Sequence, residues 1–81
     1  MRKISNVDDA IEKFKMAAID NRVCAYNGNY RKANRAYDNL MQIKKYLLEN
    51  NALDLLKQLY DDSNLWVRLA AAIAMAPFDD E

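Results

Sequence analysis

"LWVRLAAAIAM", residues 65–75, contains one charged side chain in eleven positions. A helix formed by this stretch is apolar on every side, and such a helix is normally buried on every side. Crossing a membrane takes about 20 apolar residues, which this run does not reach. The stretch therefore predicts a helix that other parts of a protein must cover.

Three more segments with helical spacing of apolar residues precede this stretch, and short polar connections separate them. The four segments are, in order, residues 7–26, 30–49, 52–60 and 65–76. Ser5 or Asn6 is suited to cap the first segment, "NGN" at residues 27–29 ends it, and the fourth ends before Pro77. Because short connections join antiparallel neighbours, the sequence predicts one all-α domain over residues 1–81.

The second segment has two adjacent apolar faces. The first face consists of Ala33, Ala36, Leu40, Ile43 and Leu47, and the second of Tyr30, Tyr37, Met41 and Leu48. So wide an apolar surface predicts contacts with more than one neighbouring helix. We therefore expect Tyr30 and Tyr37 to lie in the core.

Composition excludes several classes of function. Twelve basic residues balance twelve acidic ones, whereas a general nucleic-acid binder usually carries a positive excess. One cysteine and no histidine exclude a Cys-His dyad and a zinc site of Cys and His ligands. The paired carboxylates Asp8-Asp9, Asp61-Asp62 and Asp79-Asp80 stand where helix capping or solvation explains them. We expect a cytoplasmic protein that is not an enzyme and uses no cofactor, metal or membrane.

The last two segments resemble a HEAT repeat, a unit of two antiparallel helices. "LLKQLYDDSNLWVRLAAAIA", residues 55–74, carries its skeleton of a Leu-rich helix, an Asp-containing turn, Val-Arg and paired alanines. The matching positions are Leu56, Leu59, Asp62, Val67, Arg68, Ala70, Ala71 and Ala74, while Ser63 replaces the usual turn proline. Together with "AYNGNYRKANRAYDNL", residues 25–40, the stretch resembles a small bacterial HEAT-like family of unknown function, some members of which are suspected toxin-immunity proteins.

The resemblance implies a HEAT-like stack of two antiparallel helical hairpins, of the right-handed α-solenoid type. It also implies a non-catalytic protein-binding module, with an immunity protein that neutralises a toxin as the specific form. Members of that family usually run about one helix longer. This leaves open a missing C-terminal helix that would begin at Pro77.

Arg68 is the single charge of the opening stretch. It follows Val67, which we expect in the core, and it can reach the carboxylate of Asp61 or Asp62 and the turn carbonyls. A guanidinium offers five donors in a fixed fork, which suits a turn with several free acceptors. We predict that Arg68 and Asp62 fix the turn structurally rather than contact a ligand.

Trp66, Leu69 and Ile73 form a candidate interface on the face of the fourth helix that points away from Val67. Terminal helices of a stack normally have a polar outer face, and this one does not. We expect a protein partner, such as a toxin or a second copy of the chain, to cover these three side chains.

A basic cluster on the second helix is the alternative binding feature. Its members are Arg31, Lys32, Arg35, Lys44 and Lys45. Cations near the start of a helix are electrostatically unfavourable, so helix stability does not explain the first three. A nucleic-acid-binding helical-repeat module therefore remains the second hypothesis, although zero net charge makes us expect weak or no binding.

Overall fold

The computed structural model describes the backbone of residues 3–79 and the side chains of residues 3–76. Over that range the chain forms three α-helices and one 3₁₀-helix, and it contains no strand. The elements are α1 (Val7–Tyr26), α2 (Tyr30–Glu49), a 3₁₀-helix (Leu53–Asp61) and α3 (Leu65–Asp79). The prediction of an all-α chain with four helical segments is confirmed.

Both long helices begin at an asparagine cap. The Asn6 side chain accepts a hydrogen bond from the amide of Asp9 (2.8 Å), and the Asp9 carboxylate accepts one from the amide of Ser5 (2.9 Å). These two bonds satisfy one amide in the first turn of α1 and one amide just before the helix. Asn29 caps α2 in the simpler way, by accepting a hydrogen bond from the amide of Lys32 (3.3 Å).

Both long helices also end in the same motif. After α1, Gly28 adopts a φ of 79°, and the amide of Asn29 donates to the carbonyl of Cys24 (2.8 Å). After α2, Asn51 adopts a φ of 54°, and the amide of Ala52 donates to the carbonyl of Leu47 (2.8 Å). A left-handed residue followed by this backward hydrogen bond is the Schellman ending. The two endings turn the chain sharply after α1 and after α2.

α1 is the element that joins the two halves of the molecule. It packs along α2, and we call these two helices the first helix pair. α1 also contacts α3. The 3₁₀-helix and α3 pack on each other as the second helix pair. Phe14 in α1, Ile43 and Leu47 in α2, Leu56 in the 3₁₀-helix and Val67 in α3 are the largest fully buried side chains. All belong to one apolar core, so the two pairs share it.

The second helix pair departs from the sequence prediction at two points. The third segment is a 3₁₀-helix, in which Leu53, Leu56 and Leu59 recur every three residues and are all buried. This spacing matches the three residues per turn of a 3₁₀-helix, so the leucines form one row. In addition, α3 continues through Pro77 to Asp79. The expected end before Pro77 is wrong. Only Phe78 and Asp79 follow the proline in α3, so its missing N–H affects the final turn alone.

The second apolar face of α2 is also placed differently from the prediction. Tyr30, Tyr37, Met41 and Leu48 are 68%, 51%, 41% and 50% exposed, respectively. The expectation of Tyr30 and Tyr37 in the core is wrong. The reason is the position of α3, which packs on α1 and the 3₁₀-helix and leaves this face of α2 uncovered.

Candidate binding groove

An open groove, here called the central groove, runs between α2 and α3. Phe14 and Ala18 of α1 lie at its floor, and the groove has a volume of about 280 Å³. Tyr37, Leu40, Met41 and Lys44 form the wall from α2, and Trp66, Ala70, Ile73 and Ala74 form the wall from α3. Each wall is the side of a helix that packing within the chain leaves uncovered.

The central groove exposes large apolar side chains. Trp66 is 39% exposed and Ile73 is 63% exposed on one wall, facing Tyr37 and Met41 on the other. Single exposed apolar residues are ordinary on a protein surface, whereas a concave cluster of large ones is typical of binding sites. The groove is therefore the strongest candidate binding surface in the described part of the chain.

Two cations and one amide are among the polar groups of the central groove. The guanidinium carbon of Arg22 lies 5.8 Å from the centre of the Trp66 ring, within cation–π range. Lys44 contributes the second positive charge, from α2. Asn21 donates from its side-chain nitrogen to the carbonyl of Ala33 (2.9 Å), which ties α1 to the start of α2 at one end of the groove.

The structure divides the predicted α3 interface. Trp66 and Ile73 line the central groove, whereas Leu69 does not. Leu69 and Leu65 are 40% and 49% exposed on the outer side of α3. One turn holds 3.6 residues, so Leu65 and Leu69 share a strip that is rotated away from the groove.

The predicted basic cluster does not form one patch. Arg31, Lys32, Arg35 and Lys45 are exposed, whereas Lys44 is half-buried and lines the central groove. On α2, Arg31, Arg35 and Lys45 share one strip, and Lys44 lies almost on the opposite side. Lys45 also lies 4.0 Å from Glu49, an exposed pair worth little energy. The cluster therefore separates into a solvated strip and one groove residue.

Arg68 contacts the turn that precedes α3. Its Nη1 donates to the backbone carbonyl of Asp62 (2.6 Å). The carboxylate of Asp62 accepts a hydrogen bond from the amide of Asn64 (3.0 Å) and lies 3.3 Å from Nζ of Lys15 in α1. The amide of Asn64 first, then Lys15 and Arg68, lower the pKa of Asp62, against an opposing effect of burial. Asp62 thus joins the turn to α1, and Arg68 binds its carbonyl rather than its carboxylate.

Asp9 is the other acidic group with a lowered pKa in the described part of the chain, and it lies at the start of α1. Asp9 pairs with Lys13 and accepts the amide of Ser5, and these two contacts lower its pKa despite some desolvation. No three His, Cys, Asp or Glu side chains within residues 3–76 are placed to hold a metal ion. The side chains of Asp79 and Asp80 lie outside the described residues. None of the helices within residues 3–79 is long and apolar enough to cross a membrane.

Sequence reasoning missed Arg22 and the role of Tyr37 and Met41. The sequence showed the second apolar face of α2. Whether this face is buried depends on where α3 packs, which no local pattern reveals. Arg22 looks like any exposed helix cation until the structure places it over Trp66. The available signal was that α2 and α3 each had more apolar surface than a small core needs.

No protein-family model, curated protein or solved structure matches this chain.

Proposed function

We propose that this protein is a non-catalytic protein-binding module and that the central groove is its binding surface. The observation that carries the proposal is the concave cluster of exposed Tyr37, Met41, Trp66 and Ile73. Tyrosine, tryptophan and arginine dominate the energetics of protein interfaces, and all three line this groove. A surface lined by two helices is the geometry in which a further helix is commonly bound.

The HEAT-like arrangement belongs to the same proposal. In the second helix pair, Leu56, Leu59, Val67, Ala71 and Ala74 are buried, as the repeat skeleton requires of its apolar positions. Arg68 binds the turn between the two helices, as the Val-Arg element of that skeleton suggests. We propose the chain as a short HEAT-like stack of the right-handed α-solenoid type. Its specific role is that of an immunity protein whose groove captures a toxin.

Capture from cells of the source organism tests this function. The parent chain is compared with a groove variant, Met41→Glu with Ile73→Glu, and with a control, Met16→Glu with Val23→Glu. The control positions are 64% and 46% exposed on α1 and do not line the central groove. We expect a protein that the parent and the control retain and the groove variant loses. Retention by all three chains would contradict the groove as the binding surface.

The toxin-immunity role has its own test. The captured protein is expressed with and without this chain, and growth is followed. We expect the chain to relieve growth inhibition and the groove variant to lose that protection. A captured protein that does not inhibit growth would contradict the immunity role and leave the binding function in place.

The end of the first helix pair favours a second candidate, single-stranded nucleic-acid binding. Tyr26 and Tyr30, which flank the turn between α1 and α2, are 93% and 68% exposed, and Arg31, Lys32 and Arg35 follow within two turns of α2. Exposed aromatic rings among cations are what a strand with unstacked bases requires. A titration with fluorescent single-stranded RNA tests this candidate, with Tyr26→Ala and Tyr30→Ala as matched variants. We expect weak binding at physiological salt, and a tight complex that needs both tyrosines would favour this candidate over the first.

A further inference from the structure

The charge of the central groove indicates what kind of helix it accepts. The groove-lining residues that the structure describes include two cations, Arg22 and Lys44, and no carboxylate. We propose, on the basis of the protein-binding function above, that the occupant is an amphipathic helix of a partner protein with a carboxylate near each end of its apolar face. Complementary charge at the ends of an apolar surface fixes orientation and excludes wrong partners.

The spacing of the two cations sets the length of the matching helix. Asn21 contacts Ala33, so its neighbour Arg22 lies level with the first turns of α2. Lys44 comes eleven residues after Ala33, which is about 16 Å along a helix at 1.5 Å per residue. Measured along the axis of α2, the backbones of Arg22 and Lys44 therefore lie about three helical turns apart.

A partner helix that runs along α2 can present carboxylates at this spacing. Positions i and i+11 differ by about three turns and lie on one face of a helix, with positions i+4 and i+7 between them. Glutamates at i and i+11 would face the two cations, and large apolar residues at i+4 and i+7 would face Trp66, Ile73 and Met41. The side chain of Trp66 is held beside Arg22 before any partner arrives, which reduces the ordering cost of binding.

Three synthetic helical peptides test this inference on the full chain. All have the same apolar residues at i+4 and i+7, and they differ in carrying glutamate, glutamine or lysine at both i and i+11. Because Trp66 is the single tryptophan of the chain, its emission reports occupancy of the groove if the peptides contain no tryptophan. We expect the glutamate peptide to bind about tenfold more tightly than the lysine peptide at low salt, and the difference to shrink as salt screens the charges.

A charge reversal provides the matched control. The variant Arg22→Glu with Lys44→Glu should reverse the preference, so that the lysine peptide binds more tightly. Lys3→Glu with Lys32→Glu makes the same change in net charge at exposed positions outside the groove lining and should keep the preference of the parent. Circular dichroism of each variant, matching that of the parent, verifies that the chain is folded.

The outcomes separate this inference from the function on which it rests. Equal binding of all three peptides would overturn the acidic-helix inference while supporting a groove that binds helices. No binding of any peptide by the folded parent would overturn the groove as a helix site, and the inference with it. Sedimentation of the chain alone should show a monomer. A dimer that the groove variant Met41→Glu with Ile73→Glu dissociates would make a second copy the occupant and would also overturn the inference.

Discussion

The two helix pairs differ in the side chains that they expose on the surface facing away from the core. In the first pair, α2 buries one face and carries charges on the opposite one, where Asp38 and Glu49 offset two of the three positive charges of Arg31, Arg35 and Lys45. In the second pair, the described side chains of α3 include one charge, Arg68, and the helix exposes Leu65, Trp66, Leu69 and Ile73. Beside its exposed apolar face, α2 therefore has a charged face, whereas the described exposed side chains of α3 are almost all apolar.

This difference separates the surface that holds the fold together from the surface that we propose for binding. The buried side of α3 consists of Val67, Ala71, Ala74 and Met75, which is enough to attach the helix to the shared core. Leu65, Trp66, Leu69 and Ile73 are only partly covered by this packing and are 39–63% exposed. An association that covers them gains about 1.5–3 kcal/mol for each large side chain that becomes fully buried.

The largest expected effect tests whether the two pairs share one core. Phe14 of α1 is 1% exposed and contributes to the floor between α2 and α3. Phe14→Ala should lower the free energy of unfolding by about 3–5 kcal/mol, because the site cannot collapse around the missing ring. Urea denaturation followed by circular dichroism and by Trp66 emission measures the change.

Both signals should shift together, since the core is common to both pairs. The control is Met16→Ala on the same helix, at a side chain that is 64% exposed, which should change stability by less than about 0.5 kcal/mol. Separate transitions in the two signals would show that the second pair unfolds independently. Each pair would then have its own core.

A smaller effect concerns the turn inside the second pair. Arg68→Ala should lower the free energy of unfolding by about 1–3 kcal/mol, because the carbonyl of Asp62 loses its donor in a partly buried site. Binding of the groove peptides, compared at a temperature where the variant is folded, should stay unchanged. If the variant instead melts like the parent and loses peptide binding, Arg68 is a ligand contact and its structural role is wrong.

The connection between the pairs gives a still smaller effect. Asn51 has a φ of 54°, which a residue with a side chain adopts at a cost and which asparagine tolerates better than alanine. Asn51→Ala should destabilise the protein by about 1 kcal/mol, and Asn51→Gly should be neutral or slightly stabilising. Thermal melts of the three chains measure this. An alanine variant as stable as the glycine variant would mean that the Schellman ending does not control the turn from α2 into the 3₁₀-helix.

Local chemistry made most of the elements predictable. Capping and turn residues act within a few positions of the chain. Asn6, "NGN" and "ENN" (residues 49–51) are of this kind, and from them the ends of both long helices were predicted correctly. The 3₁₀ form of the third segment was less visible, because leucines three and four apart fit both helix types. The sequence could not place Tyr37, Met41 and Arg22 in one groove, since that depends on the packing of α3 against α1. Charge spacing along α2 alone could not separate Lys44 from Arg31 and Arg35.

The smallest expected effect concerns the pH dependence of stability at two carboxylates. Asp9 lies at the cap of α1, and Asp62 lies at the junction of the two helix pairs. Asp9 and Asp62 both have a pKa below the usual value of 3.8. Each carboxylate therefore stabilises the fold at pH values above about 4, and this contribution is lost as the pH falls through the lowered pKa. Asp62→Asn keeps an acceptor for the amide of Asn64 but removes the charge that faces Lys15.

The Asp62→Asn variant should be less stable than the parent at pH 7 and should match it once the pH is low enough to neutralise Asp62 in the parent. Asp9→Asn should behave in the same way with pH, because the charge that faces Lys13 is lost. Native-state hydrogen exchange distinguishes the two sites. Asp62→Asn should speed exchange in α3, because the junction to α1 is weakened, whereas Asp9→Asn should speed it in the first turns of α1. Faster exchange confined to α1 in both variants would mean that Lys15 and Asp62 do not hold the two pairs together, and the shared core alone would account for their contact.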